Sequence, residues 1–122
     1  MGYNSFMKLT GITIFTQNIV ALTNFYKDLL YTNPTETSDM SSLITVNEFR
    51  YFIHKKHEPR PDLPPSEDHF EFEVENVELL TKELQGKGLK VEFPPKEYYW
   101  EKSAYLRDLD GRLIEIHEGL AK

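Results

Sequence analysis

The sequence predicts an α+β fold built from two similar halves, and three observations carry that reading. Short runs in which apolar and polar residues alternate with period two occur on both sides of a proline-rich stretch, residues 57–67. In each half the first such run is followed by an Asn and then by an amphipathic stretch of helical period. Further alternating runs follow each of these stretches, so the order strand, helix, then two or three strands appears twice.

In the first half, "LTGITIF" (9–15) sets Ile12 and Ile14 against Gly11 and Thr13, which reads as a strand. Asn18 can cap the helix that follows, where Ile19, Leu22, Phe25 and Leu29 lie near one stripe, and Asn33-Pro34 marks its end. "SLITV" and "FRYFIH" read as two strands joined by a turn at Asn47-Glu48. "HEPRPDLPPSE" then places four prolines in eleven residues and reads as an exposed linker.

The second half opens with "HFEFEV" (69–74), with Phe70, Phe72 and Val74 on one face and His69, Glu71 and Glu73 on the other. Asn76 can cap a helix carrying Val77, Leu80 and Leu84, which Gly86 or Gly88 can end. "LKVEF" is a further strand that Pro94-Pro95 is expected to stop. After the loop "KEYYWEK" come "SAYLRD", a turn at "DLDG" and "RLIEIH". In the last of these, Leu113, Glu115 and His117 share one face while Ile114 and Ile116 share the other.

The helices must bury their stripes on apolar strand faces, so Ile12, Ile14, Phe70, Phe72, Ile114 and Ile116 are expected beneath them. The opposite faces carry Gly11, Thr13, Phe15, His69, Glu71, Glu73, Leu113, Glu115 and His117, an acidic set for the side of the sheet that remains free.

Composition narrows the function. The chain has 122 residues, 39% hydrophobic and 28% charged, with net charge −6 and no cysteine. Lys and Arg do not cluster, which argues against nucleic acid as a partner. Thiolate metal sites, disulfides and a thiol nucleophile are excluded. No apolar run is long enough to span a bilayer and none resembles a secretory signal, so a cytoplasmic location without a membrane partner is the expectation. "DLDG" lacks the later oxygen ligands of a calcium loop and reads as a turn.

Three segments, "NIVALTNFYKDLL", "HFEFEVENVELLTKELQGKGLKVE" and "SAYLRDLDGRLIEIHE", in this order and spacing, resemble the glyoxalase/bleomycin-resistance/dioxygenase superfamily, also called vicinal oxygen chelate proteins. The resemblance covers roughly residues 9–118. It implies two βαβββ modules whose curved mixed sheets enclose a cavity, commonly in a homodimer. The expected organisation is an extension (1–8), a first module (9–57), the proline-rich linker (58–67) and a second module (68–122).

In metal-dependent members the ligands come from the first and last strand of each module. By that resemblance the second module supplies His69 and Glu115, whereas the matching first-module positions fall on Gly11 and Phe52. Two ligands are fewer than the roughly three of a catalytic divalent site. Candidates to join them are His117, His54, Glu71 and Glu73. Because a strand advances about 6.6 Å over two residues, Glu71 reads as a neighbouring proton carrier rather than a ligand. His54 and His57 cannot converge from one strand, and His54 and His117 read as structural.

Two functions follow. The favoured expectation is a protein that binds a small cationic or aromatic molecule in an acidic, aromatic cavity. Tyr98, Tyr99, Trp100, Phe52, Glu73 and Lys102 are its candidate ligand-binding residues. The alternative is a metal-dependent lyase, isomerase or transferase of glyoxalase type. There His69 and Glu115 hold Zn, Ni, Mn or Fe, and Glu115 and Glu71 are the catalytic carboxylates. A fosfomycin-type transferase is disfavoured because the predicted cavity offers few cations to a phosphonate, and an extradiol iron triad because it lacks a first-module histidine.

Overall fold

A computed structural model describes residues 7–119. Of the extension expected over residues 1–8, residues 1–6 lie outside the described ones. The first half contains β1 (Met7–Thr16), α1 (Ile19–Leu30), β2 (Glu36–Thr37), β3 (Ser41–Val46) and β4 (Phe49–Lys55). The second contains β5 (His69–Val74), α2 (Val77–Gly86), β6 (Val91–Glu97), β7 (Lys102–Arg107) and β8 (Leu113–Glu118). Each half is therefore a βαβββ module, and the fold class is α+β. Packing divides the chain between His69 and Phe70, residues 7–9 going with the second unit. Among the described residues no helix is long and apolar enough to cross a membrane.

In the first module the strand order is β2-β3-β4-β1, with β1 parallel to β4 and the other pairs antiparallel. The Asn18 side chain accepts from the Ala21 N–H at 3.0 Å, the expected cap. Asn47 and Glu48 both take positive φ, as a two-residue hairpin between β3 and β4 requires. The stripe that α1 buries is rotated from the expected one. Ile19, Leu22, Tyr26 and Leu30 pack with Ile44, Val46, Tyr51 and Ile53, whereas Phe25 and Leu29 are each 58% exposed. One residue turns a helix by about 100°, so a stripe through 19, 22, 26 and 30 leaves 25 and 29 on its flank. Thr23, on the same buried side, hydrogen-bonds Ser42 at 2.6 Å. Ile12 and Ile14 are half-buried and stand outside this core, which β3 and β4 supply instead. The linker is not wholly exposed: Pro64 is buried, and the Ser66 hydroxyl accepts from the His57 N–H at 2.9 Å.

In the second module the order is β5-β8-β7-β6. Asn76 caps α2 by accepting from the Leu79 N–H at 2.9 Å, and Gly88 takes the positive φ that ends the helical segment. Val77 and Leu80 of α2 pack on Val74, Ala104, Leu106 and Ile116, with Phe72, Leu84 and Ile114 alongside. Phe70, expected in this layer, is 42% exposed. β6 continues through Pro94-Pro95 rather than stopping there. It is the end strand of the order, so the missing N–H groups need not face a neighbour. Its pairing with β7 also shifts register between Val91 and Phe93 and again before Lys96.

Two local features have measurable consequences. Thr81 of α2 is buried, and its Oγ1 has no hydrogen-bond partner among the described residues. Thr81→Val keeps the shape and removes an unsatisfied hydroxyl. It is expected to stabilise by about 1 kcal/mol, read as a rise of a few degrees in melting temperature.

In the 108–111 turn, Asp108 Oδ1 accepts from the N–H groups of Asp110 and Arg112, each at 2.9 Å, and Oδ2 takes the Arg112 guanidinium at 3.1 Å. The Arg112 backbone bond first, with the other donors, holds the Asp108 carboxyl below its ordinary 3.8. The stability this lends is present above the unfolded value and lost as pH falls through the lower folded value. Acid melts of Asp108→Asn should therefore show a shallower loss of stability below about pH 4 than the parent.

Candidate metal centre

Strand parity gathers the site in the second module. β7 and β8 pair antiparallel with Tyr105 opposite Glu115 and Ser103 opposite His117. These four side chains thus share a face, and His69 and Glu71 of β5 join them. That face is not the free surface expected from the alternation: His69, Glu71, Ser103, Tyr105, Glu115 and His117 are all buried, while Glu73 is half-buried.

His69, Glu71 and Glu115 each offer one ligand atom, and the three atoms lie within 4.8 Å of one another. The expected objection to Glu71 concerned its backbone position two residues from His69. Its long side chain spans that interval, so Glu71 reaches the group as a third donor. His69 Nδ1 lies 2.9 Å from the Glu67 carbonyl oxygen. A carbonyl only accepts, so Nδ1 carries a hydrogen, which leaves Nε2 as the ring nitrogen that a metal would take. Ser103 donates to Glu115 Oε2 at 2.7 Å, and the Tyr105 hydroxyl also hydrogen-bonds Glu115. Burial first, and then the charge of Glu115, push the Tyr105 phenol far above its ordinary range, so it stays a proton donor.

The donor set fits a divalent ion. One imidazole nitrogen and two carboxylate oxygens form a mixed N/O site suited to Zn, Mn, Fe or Ni, without the thiolates of a soft-metal site. Two buried carboxylates this close repel each other, and a dication would neutralise both.

Around this group, His117 Nδ1 lies 2.9 Å from Glu101 Oε1. Burial opposes charge on His117, but the Glu101 hydrogen bond and the fields of Glu101, Glu115 and Glu71 outweigh it, raising the imidazole pKa. The Tyr98 ring stacks on Trp100 at 4.5 Å and meets Tyr105 edge-on at 6.1 Å. Burial, then the charge of Glu115, raises the Tyr98 pKa. Tyr99 is 85% exposed, with its ring edge-on to Trp100 at 4.7 Å. Lys102 donates to Glu78 at 3.1 Å, an ion pair with the first turn of α2.

The first module places its counterparts differently. Phe52 of β4 stands opposite Thr13 of β1 and Leu43 of β3, with its ring 5.7 Å from that of His54. His54 Nδ1 bonds the Lys55 carbonyl oxygen at 2.6 Å. Gly11 pairs with Arg50 across the parallel β1–β4 ladder, and a Cβ on it would sit 2.5 Å from the Arg50 carbonyl oxygen. The position that would carry a ligand by resemblance therefore has no room for a side chain. Ser103, Tyr105 and Glu101 went unnoticed as partners in the sequence. The hairpin register across the 108–111 turn, which sets 105 against 115, was the signal that could have found the first two.

Comparison with known proteins places the chain in a family. The metallothiol transferase FosB of Staphylococcus epidermidis is 29% identical over 104 residues, covering 80% of this chain and 72% of the relative. Among solved structures, a hypothetical protein of Bacillus halodurans superposes with a TM-score of 0.76 at 18% identity, covering 95% of this chain and 96% of that one. A methylmalonyl-CoA epimerase of Streptomyces coelicolor superposes with a TM-score of 0.71 at 16% identity, covering 93% and 98%. A family model described as Glyoxalase/Bleomycin resistance protein/Dioxygenase superfamily matches residues 8–116. The chain belongs to that superfamily.

Proposed function

We propose that this protein is a divalent-metal-dependent enzyme acting on a small oxygenated molecule, in which His69, Glu71 and Glu115 hold the metal. The observation that carries this is the buried trio of one imidazole and two carboxylates with ligand atoms within 4.8 Å. It reverses the preference drawn from sequence, which rested on a site of only two ligands. A bound divalent ion supplies Lewis-acid polarisation of a substrate oxygen. The chain's own groups do the rest. Glu67 orients His69 through its carbonyl, and Ser103 and Tyr105 orient Glu115. Tyr98 and Trp100 present an aromatic wall near Glu115 that limits water and positions an apolar part of the substrate. The similarity to a metallothiol transferase favours transfer of a thiol to the substrate over lyase or isomerase chemistry.

A second reading rests on the Tyr98–Trp100 stack beside the carboxylates. Without metal, these groups would hold a cationic aromatic molecule by charge pairing and cation–π contact. One pair of measurements separates the two. Protein stripped of metal and titrated with Mn or Zn should take up about one equivalent per chain under the first reading. Under the second it takes up none, and cationic aromatics quench Trp100 fluorescence with salt-sensitive affinity.

A further inference from the structure

The loop between β6 and β7 is held by a contact that the metal-binding reading does not use. Tyr98 and Glu101 close a turn through the Tyr98 N–H and the Glu101 carbonyl at 3.0 Å. A charged side chain on such a turn would ordinarily be solvated. Here the Glu101 carboxylate is only 9% exposed and lies 2.9 Å from His117 Nδ1, itself 3% exposed. Burying both groups is costly unless they are paired, so moving the loop outward would separate them and leave His117 Nδ1 with the more distant Glu118 carbonyl oxygen, at 3.4 Å, in place of the carboxylate. His117 lies two residues beyond Glu115 on β8, opposite Ser103, so the contact ties the loop to the strand that carries the acidic group. Tyr98 and Trp100, the stacked pair, are the side chains that this turn carries.

We infer that Glu101 and His117 are positioning residues, a latch that holds the Tyr98–Trp100 aromatic plate against the acidic site. The inference rests on the proposed site for the plate's role as a wall, but the latch itself exists without metal and is tested without it. Trp100 is the single tryptophan of the chain, so its emission reports this loop alone.

In metal-free protein, Glu101→Ala is expected to shift Trp100 emission to the red and raise its collisional quenching by acrylamide about twofold or more. Glu101→Gln, which keeps the length and an oxygen that can accept from Nδ1–H, should restore most of the parent signal. His117→Gln should behave like Glu101→Ala. Metal uptake, measured separately on the same variants, should keep its stoichiometry. Unchanged quenching in folded Glu101→Ala and His117→Gln would overturn the latch, as would a Glu101→Gln protein no closer to the parent than Glu101→Ala. Should Glu101→Ala fail to fold, the comparison of His117→Gln with Glu101→Gln decides in the same way. Loss of metal uptake in the parent protein would count against the proposed function and leave the fluorescence result standing.

Discussion

His69→Ala is expected to bind Mn or Zn at least about a hundredfold more weakly than the parent, with no stoichiometric metal left after dialysis. The reason is the composition of the trio: with His69 removed, two carboxylates remain and the only nitrogen donor is gone. Elemental analysis and a competitive chelator titration read the effect, and a His69→Ala protein that kept about one equivalent would refute the assignment. The carboxylates give a sharper sign. In metal-free protein Glu71→Gln relieves repulsion between two buried acids and should raise the melting temperature. With metal present the same change removes a ligand and should lower it relative to the loaded parent, because a dication then stabilises the parent more. A substitution that shifted stability in the same direction in both states would mean that Glu71 does not meet the metal. Ser103→Ala removes a hydroxyl that orients Glu115, and its affinity should fall by about tenfold.

The second large effect concerns Gly11. Placing a side chain at Gly11, where the resemblance implies a ligand, should break the fold rather than add a donor. A Cβ there meets the Arg50 carbonyl oxygen at 2.5 Å, and that oxygen belongs to the neighbouring strand rather than to a flexible side chain. Gly11→Ala is expected to cost about 2–3 kcal/mol, and Gly11→His more. Denaturant unfolding measures the loss. A Gly11→His protein as stable as the parent and binding metal more tightly would show that β1 and β4 can part without penalty.

Much of the fold was legible because each module repeats strong local signals. Asn18 and Asn76 cap the helices that follow them, Asn47-Glu48 makes the hairpin turn, and the alternation in residues 69–74 and 113–118 marks β5 and β8. These depend on chemistry within a few residues of one another. What misled was the distribution of burial. Phe25 and Leu29 looked like core because apolar character was allowed to stand for interior position, and the helix turned a neighbouring stripe inward instead. The polar face is buried because its members satisfy one another: Ser103 and Tyr105 on Glu115, and Glu101 on His117.

By itself the sequence determined the duplicated βαβββ order, the absence of any thiolate ligand, and the parity that sets His69, Glu71, Glu115 and His117 on matching strand faces. Periodicity and composition are properties of the chain read one residue after the next, and they need no knowledge of what packs on what. Only the tertiary structure decided that Glu71 reaches the group as a third donor, that Gly11 has no space for a side chain, and that Glu101 ties the aromatic loop to β8. Those outcomes turn on distances of a few ångströms between atoms on different strands, which depend on how strands register and side chains extend. A linear pattern contains no such distance.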